Sequence, residues 1–503
     1  MGEVIKQTLV AFTIAGLGYF ALFGGLNSMF VFIAWRKLAA FRQARAYTAL
    51  DETYASPFTP GISVLVPAYN EEAGIVASVR SLLDLRYPRH EVIVINDGSK
   101  DGMMDRLKEA YDLVPVRLAV RTGAEHKRIV ASYASRRYRN LVVLDKENGG
   151  KSDALNAGIN AAAYPYVCAI DADAVLEDDA LLRIVQPMID QPETAMATGG
   201  IVRIANGCTI EDGRVTSYGV PENRLAMMQV VEYFRAFLVG RLAFDRFNCM
   251  IIISGAFGLF NRAFVEELGG YRHGTVGEDI ELVTRMHTQL RREGVPFSIT
   301  FVPDPVCWTE APETVSGLSR QRRRWQRGLS ETMWGYRRQV LNPRYGSLGM
   351  FALPYFLVFE LLGSIFEAVG ILSAILAFAV GAFSLSFFLS FMAVSILLSI
   401  LISASSVVLE EYVIHRYERK EDIARMIGYS VFESFGYRQM NAYWRVQGLI
   451  DAIRRKSGWG EQVRRGLERT AEVPLPAGAL PPAAEAVEAE PGSQQREVAD
   501  VGN

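Results

Sequence analysis

The chain predicts an α/β domain flanked by transmembrane helices. Three observations carry this. Apolar, β-branched runs alternate with helical patterns through residues 61–340, as expected of a parallel sheet covered by helices on both faces. Three long apolar stretches lie outside that region, and the composition agrees: 50% of 503 residues are hydrophobic. Polar residues Asn70, Asp97, Asp171 and Asp173 fall where predicted strands end, and such sheets bind ligands at their carboxyl ends.

The first apolar stretch, Leu9 to Trp35, is long enough to cross a bilayer core of about 30 Å. It is too long for a signal-peptide core, and its basic residues Arg36, Lys37, Arg42 and Arg45 follow it. The positive-inside rule then puts the N-terminus outside and residue 36 onward in the cytoplasm. A transmembrane helix is expected over 1–36 and a linker over 37–60.

Within 61–340, GISVLVPAY (61–69) reads as a strand followed by a helix, Glu71 to Leu85. EVIVINDGS (91–99), LVVLD (141–145) and YVCAIDAD (166–173) read as three more strands. Helices are expected from Asp153 to Ala163 and from Ile280 to Leu290. Two further apolar runs, Gly349 to Val380 and Ser386 to Leu409, have a very short connection and predict a membrane hairpin within 345–412. Residues 413–470 read as interfacial or cytoplasmic helices, with 423–453 amphipathic and aromatic. Basic groups at Arg416, Arg419 and Lys420, and at Arg454, Arg455, Lys456, Arg464 and Arg465, belong inside. The Ala/Pro/Glu-rich stretch 471–503 reads as a disordered tail, without a cyclic-dinucleotide regulatory domain.

Net charge is -2, with no basic excess to suggest nucleic-acid binding. Cys168, Cys208, Cys249 and Cys307 show no metal-site spacing and read as scattered thiols.

Several motifs carry chemistry. Asp171-Ala172-Asp173 places two carboxylates at a strand end, which suits a hard divalent cation shared with phosphates; Asp pairs are also common in plain turns. Asp97, in NDGS, either shapes an Asx turn or binds the base or ribose of a nucleotide. Asn148-Gly149-Gly150-Lys151-Ser152 opens a helix and suits a phosphate or ribose contact, although it lacks P-loop spacing and also reads as an ordinary helix start. Asp279, in GED, is either a helix cap or a carboxylate base. The stretch SRQRRRWQRG, with Gln321, Arg324 and Trp325, is either a basic membrane-surface helix or a clamp in which arginine grips a diphosphate. Glu360 and Glu367 share a helix face in an apolar run; they would line a polar path or pair with another segment, unless Pro354 breaks the run and leaves Glu360 at the interface.

The ordered set VPAYNE, NDGS, GGKSDALN, DAD, ISGAFGLF, GEDIEL and QRRRW resembles the processive family 2 glycosyltransferases: the cellulose, chitin, hyaluronan and poly-N-acetylglucosamine synthases. The resemblance covers residues 60–335, and CWTEAPETVSGLSRQRRRWQRG looks most like the poly-N-acetylglucosamine branch. It implies a cytoplasmic type A glycosyltransferase (nucleotide-diphospho-sugar transferase) domain acting with Mg²⁺ or Mn²⁺, in a multi-pass protein of the cell inner (plasma) membrane. On this resemblance Tyr69, Glu71 and Asp97 would hold uridine, and Lys151 would contact the nucleotide. Asp171 and Asp173 would hold the diphosphate, with Asp173 on the metal. Asp279 would be the base. Gln321, Arg324 and Trp325 would close over the diphosphate and the acceptor's entry. Trp308, Ser254 and Gly255 would meet the acceptor. The implied partners are a UDP-sugar, with UDP-GlcNAc favoured, a polysaccharide acceptor and the lipid bilayer. The region 199–250, with Gln229, Glu232, Tyr233 and Arg235, would shape the acceptor pocket. Three spans are few for a polymer channel. A second membrane subunit, a homo-oligomer, and single-sugar transfer to a lipid-linked acceptor therefore stay open, as does an inactive receptor that keeps the fold.

Overall fold

The computed structural model describes residues 2–45, 50–211 and 213–454. The expected tail 471–503, the basic residues Arg455, Lys456, Arg464 and Arg465, and part of the 37–60 linker lie outside the described residues.

The strands are β1 (Ile62–Ala68), β2 (His90–Asn96), β3 (Leu113–Pro115), β4 (Ile129–Ser135), β5 (Leu141–Lys146), β6 (Tyr166–Ile170), β7 (Val175–Leu176), β8 (Ala195–Ile204), β9 (Thr209–Glu211), β10 (Arg214–Ser217), β11 (Phe257–Asn261) and β12 (Ser298–Thr309). Ten of them form one sheet in the order β3-β4-β5-β2-β1-β6-β11-β8-β12-β7, and β9 pairs with β10. The four strands expected from sequence, β1, β2, β5 and β6, are its parallel centre. Their apolar runs are buried on both faces, with β6 wholly inside. Each fully buried Val or Ile there contributes roughly 1.5–3 kcal/mol over exposure.

The sheet is mixed rather than parallel, which corrects the sequence expectation. β11 runs antiparallel between β6 and β8, and β4 runs antiparallel to β5. A short turn leads from β4 to β5, as an antiparallel pair allows, whereas helical segments between Arg224 and Arg246 precede β11. From β1 the chain steps to β2 and β5 on one side, then returns to β6 on the other. This reversal opens a crevice at the carboxyl ends of β1 and β6.

Two helices, Glu3–Ala44 and Leu385–Tyr412, are long and apolar enough to cross a membrane, and a bent pair, Leu348–Leu361 with Gly363–Ala379, raises the number to three. The first helix does not stop at residue 36 but runs from Gly2 to Arg45. At about 66 Å it far exceeds a bilayer core. Its lower part docks on the α/β domain, because Phe30, Ala34 and Leu38 recur at helical spacing and are fully buried, and Lys37 pairs with Asp245. The expected run Gly349–Val380 is interrupted: π-helical turns flank Pro354, and the axis bends by 49° near Leu362. Carbonyls at the bend are served by other helices. Gln326 Nε2 donates to Leu361 O at 3.0 Å, and Arg445 donates to Glu360 O and, at 3.0 Å, to its carboxylate. Glu360 thus pairs with another segment. Residues 413–454 form helices Lys420–Phe432 and Arg438–Ile453, and the second packs on the helix Val315–Gly335.

One buried ion pair joins the sheet to the apolar helix Leu385–Val413. Arg203 of β8 lies 2.5 Å from Glu410, and neither side chain is more than 1% exposed. Removing one partner strands the other charge, so Arg203→Met is expected to lower stability by about 3–5 kcal/mol. Arg203→Met/Glu410→Gln should recover most of that loss. Unfolding of the detergent-solubilised variants checks this; equal stability of all three proteins would mean that the pair holds nothing.

Candidate functional site

Residues that close on the crevice come from five separate segments. After β6, Asp171-Ala172-Asp173 forms a tight turn in which Ala174 N donates to Asp171 O at 3.0 Å. This corrects the expectation of a strand through residue 173. The turn brings two half-buried carboxylates to the crevice.

Lys151 is the first residue of the helix Lys151–Ala161. Its ammonium donates to Asp171 Oδ1 at 2.6 Å and to Gly255 O at 3.4 Å, and lies 3.3 Å from Glu278 Oε1. Burial would discharge it, but Asp171 and Glu278 outweigh burial and push its pKa up. Glu278 is 5% exposed; burial pushes its carboxyl up, opposed by Lys151 and reinforced by Asp279. The sequence reading missed Glu278. Its signal was its place in GED, where an acid in the first turn of a helix also reads as a favourable dipole contact.

Asp279 opens the helix Glu278–Glu293. Its Oδ2 accepts from Gly255 N at 3.2 Å, and its Oδ1 accepts from Ile280 N at 2.8 Å. Gly255 is constrained by space: a Cβ there would sit 3.0 Å from Lys151 Nζ and 3.7 Å from Asp279 Cβ. Lys151, Asp171, Gly255 and Asp279 are therefore brought together, with Ser254 adjoining.

Asp97 is turned inward. Its carboxylate accepts from Lys146 Nζ at 2.6 Å, Gly149 N at 2.9 Å and Gly150 N at 2.7 Å, and the residue is 4% exposed. Lys146 also pairs with Asp153. The expectation that Asp97 itself grips uridine is corrected to an indirect role: it fixes loop 148–150 ahead of Lys151. Tyr69 is 44% exposed, and Glu71 is half-buried beside it.

Trp308 is a further correction. It lies on β12, is 0% exposed, and packs 5.5 Å from Tyr218. A wholly buried indole cannot stack on an acceptor sugar. It fills the core between Tyr218 and the Arg203 guanidinium, which lies 5.9 Å from its ring.

Gln321, Arg324 and Trp325 lie on the helix Val315–Gly335, which crosses the start of the Asp279 helix where Gly277 and Gly328 meet backbone to backbone. Arg324 is half-buried. Gln321 is buried, and its side-chain oxygen has no hydrogen-bond partner among the described residues. Trp325 is 38% exposed, with Tyr233 and Phe237 at 6.4 and 6.2 Å between ring centroids. The basic stretch is thus a packed helix at the crevice. Its Arg322 and Arg323 are spent on Glu232 at 2.7 Å and on Asp451.

Residues 60–328 match the family described as Glycosyltransferase like family 2. The chain is similar to a poly-beta-1,6-N-acetyl-D-glucosamine synthase of Staphylococcus epidermidis, 28% identical over 428 residues, covering 81% of this chain and 89% of the relative. The similarity to a Staphylococcus aureus poly-beta-1,6-N-acetyl-D-glucosamine synthase is 30% over 278 residues, covering 54% and 55%. Among solved structures, the mannosyltransferase PcManGT from Pyrobaculum calidifontis, in complex with GDP-Man and Mn²⁺, aligns with a TM-score of 0.52 at 17% identity, covering 90% of this chain and 100% of that one. At that identity the likeness is one of fold.

The Asp279 helix is also anchored from behind by His287. Its Nε2 lies 2.9 Å from Met250 O, and its Nδ1 lies 2.7 Å from an Arg291 Nη1 donor. Only the neutral Nε2–H form satisfies both. Burial, then Arg291, pushes its pKa down to about 3. The stabilisation is fully present above the unfolded value near 6.5 and is lost as pH falls from there toward 3, by at most about 1.4 kcal/mol per pH unit. Thermal unfolding between pH 7 and 5 should show this slope, and His287→Gln should flatten it; an unchanged slope would assign the acid sensitivity elsewhere.

Proposed function

Because the chain belongs to glycosyltransferase family 2, we propose that it moves a sugar, GlcNAc from UDP-GlcNAc, to the end of a growing β-linked polysaccharide. One observation carries the reading. Asp279, oriented by Gly255 N, lies beside the Lys151 ammonium, which contacts Asp171 of the strand-end turn and Glu278 and whose charge Asp279 also feels. A base for an acceptor hydroxyl and a seat for a diphosphate therefore lie side by side.

Asp171 and Asp173 would hold Mg²⁺ or Mn²⁺. Two carboxylates in one turn, with no cluster of three His, Cys, Asp or Glu among the described residues, suit a hard cation that completes its oxygen shell from substrate phosphates. When bound, the metal offsets charge on the departing diphosphate. The protein's own residues do the rest. Asp97 and Lys146 hold loop 148–150 in shape, and Tyr69 and Glu71 flank the nucleoside. Lys151 keeps the Asp171 carboxylate in place. Arg324 faces the diphosphate, and the buried Gln321 amide, whose oxygen has no partner among the described residues, accepts from a sugar hydroxyl. Asp279 takes the proton of the acceptor hydroxyl as its oxygen bonds to the anomeric carbon and the bond to the diphosphate oxygen breaks. A single base suffices for inversion, so an α-linked donor gives a β-linkage.

Polymer export would use the membrane helices beside the crevice, with Glu367 as a lining group. Two long apolar helices, or three counting the bent pair, favour a second reading in which one sugar is added to a lipid-linked acceptor. UDP release with Mg²⁺ or Mn²⁺ from UDP-GlcNAc, UDP-glucose, UDP-galactose and UDP-glucuronate identifies the donor. Product size separates a ladder from a single addition. Release from none of the four would sink the proposal. Asp279→Asn should cut transfer by about 10²- to 10⁴-fold with donor binding retained; an active Asn variant would remove Asp279 as the base.

A further inference from the structure

Buried arginines near the crevice follow one rule with one exception. Arg203 has Glu410, Arg322 has Glu232 and Arg327 has Glu331. Arg241 is 5% exposed, yet among the described residues it forms no ion pair, and its Nη1 has no hydrogen-bond partner. Its guanidinium lies 4.5 Å over the ring of Phe237. Cation–π stacking recovers only part of what burying a charge costs, so this side chain is kept in an unfavourable place. Burial pushes it down to about 10, and the carboxylate whose charge opposes this most is Asp279. It remains cationic at neutral pH.

Its setting is that of a sugar site. The helix Arg224–Tyr233 continues as a π-helical turn, Phe234–Gly240, into the helix Arg241–Arg246. Such turns concentrate at functional positions. The rings of Tyr233 and Phe237 pack at a tilt, 4.4 Å between centroids, and both lie against the exposed Trp325. A wall of aromatic rings thus runs from the open crevice inward and ends at Arg241, toward Asp279. Aromatic faces take the apolar face of a sugar. A guanidinium has five donors and no acceptor, so it takes an oxygen: a ring hydroxyl or an acetamido carbonyl.

We propose that Arg241 is a positioning residue that binds an oxygen of the terminal acceptor sugar and, with Phe237 beneath it, registers that sugar's hydroxyl against Asp279. This rests on the transferase reading above.

The test uses the full chain in detergent, with UDP-GlcNAc as donor and a short β-linked GlcNAc oligomer as acceptor. Transfer to the oligomer and UDP release to water are read separately. Arg241→Met is expected to raise the acceptor KM by about 10- to 100-fold, with donor KM and UDP release to water within about twofold. Arg241→Lys should recover part of the loss. Should the Met variant fail to fold, the Lys variant alone should still show a raised acceptor KM at unchanged donor KM. An unchanged acceptor KM, or transfer and UDP release to water falling together, would overturn the assignment. A wild-type protein that transfers nothing would instead remove the function reading, and this inference with it.

Discussion

Like charges gathered at one sheet end set the terms for the rest of the molecule. Asp171, Glu278 and Asp279 converge on the crevice, and such a group is stable only around a cation. Lys151 supplies it, touching two of the three and feeling the third. The constraint propagates. For its ammonium to arrive, the helix it opens must start where loop 148–150 ends, and that loop is held by the Asp97 carboxylate. Asp97 and Asp153 in turn need Lys146, which is fully buried between them. Two lysines thus tie the ends of β2, β5 and β6 into one rigid floor.

A second consequence concerns the membrane helices. The catalytic sheet and the apolar helices are joined by buried charged contacts as well as by packing. Arg203 with Glu410 and Arg235 with Glu433 and Ser403 cross from one to the other. The helix bearing Gln321 and Trp325 also serves the bend of an apolar helix, through Gln326 and Leu361 O. Backbone carbonyls opened by a bend need donors, and here they come from the helix that roofs the crevice. Crevice and apolar helices therefore share structural parts.

Much of this was legible in the chain. The four parallel strands, the DAD turn, the GGK helix start and GED announce themselves because each is local: strand runs, turn residues and helix starts are written within a few residues. Family membership followed from their order. The role of Trp308 was misread because CWTE says nothing of what covers β12, and its cover comes from Tyr218 and Arg203, some ninety and a hundred residues earlier. Asp97 was misread for a related reason, since its partners Lys146, Gly149 and Gly150 lie some fifty residues away.

Composition and pattern alone determined that the chain has an α/β catalytic domain, apolar helices around it and carboxylates at strand ends, because periodicity and turn chemistry act at short range. Only the tertiary structure decided which charges meet. It turned Asp97 inward, made Glu278 a member of the site, spent Arg322 and Arg323 on carboxylates, and left Arg241 without one among the described residues. Coulombic and desolvation energies depend on distance in space and on burial, and neither is carried by spacing along a sequence.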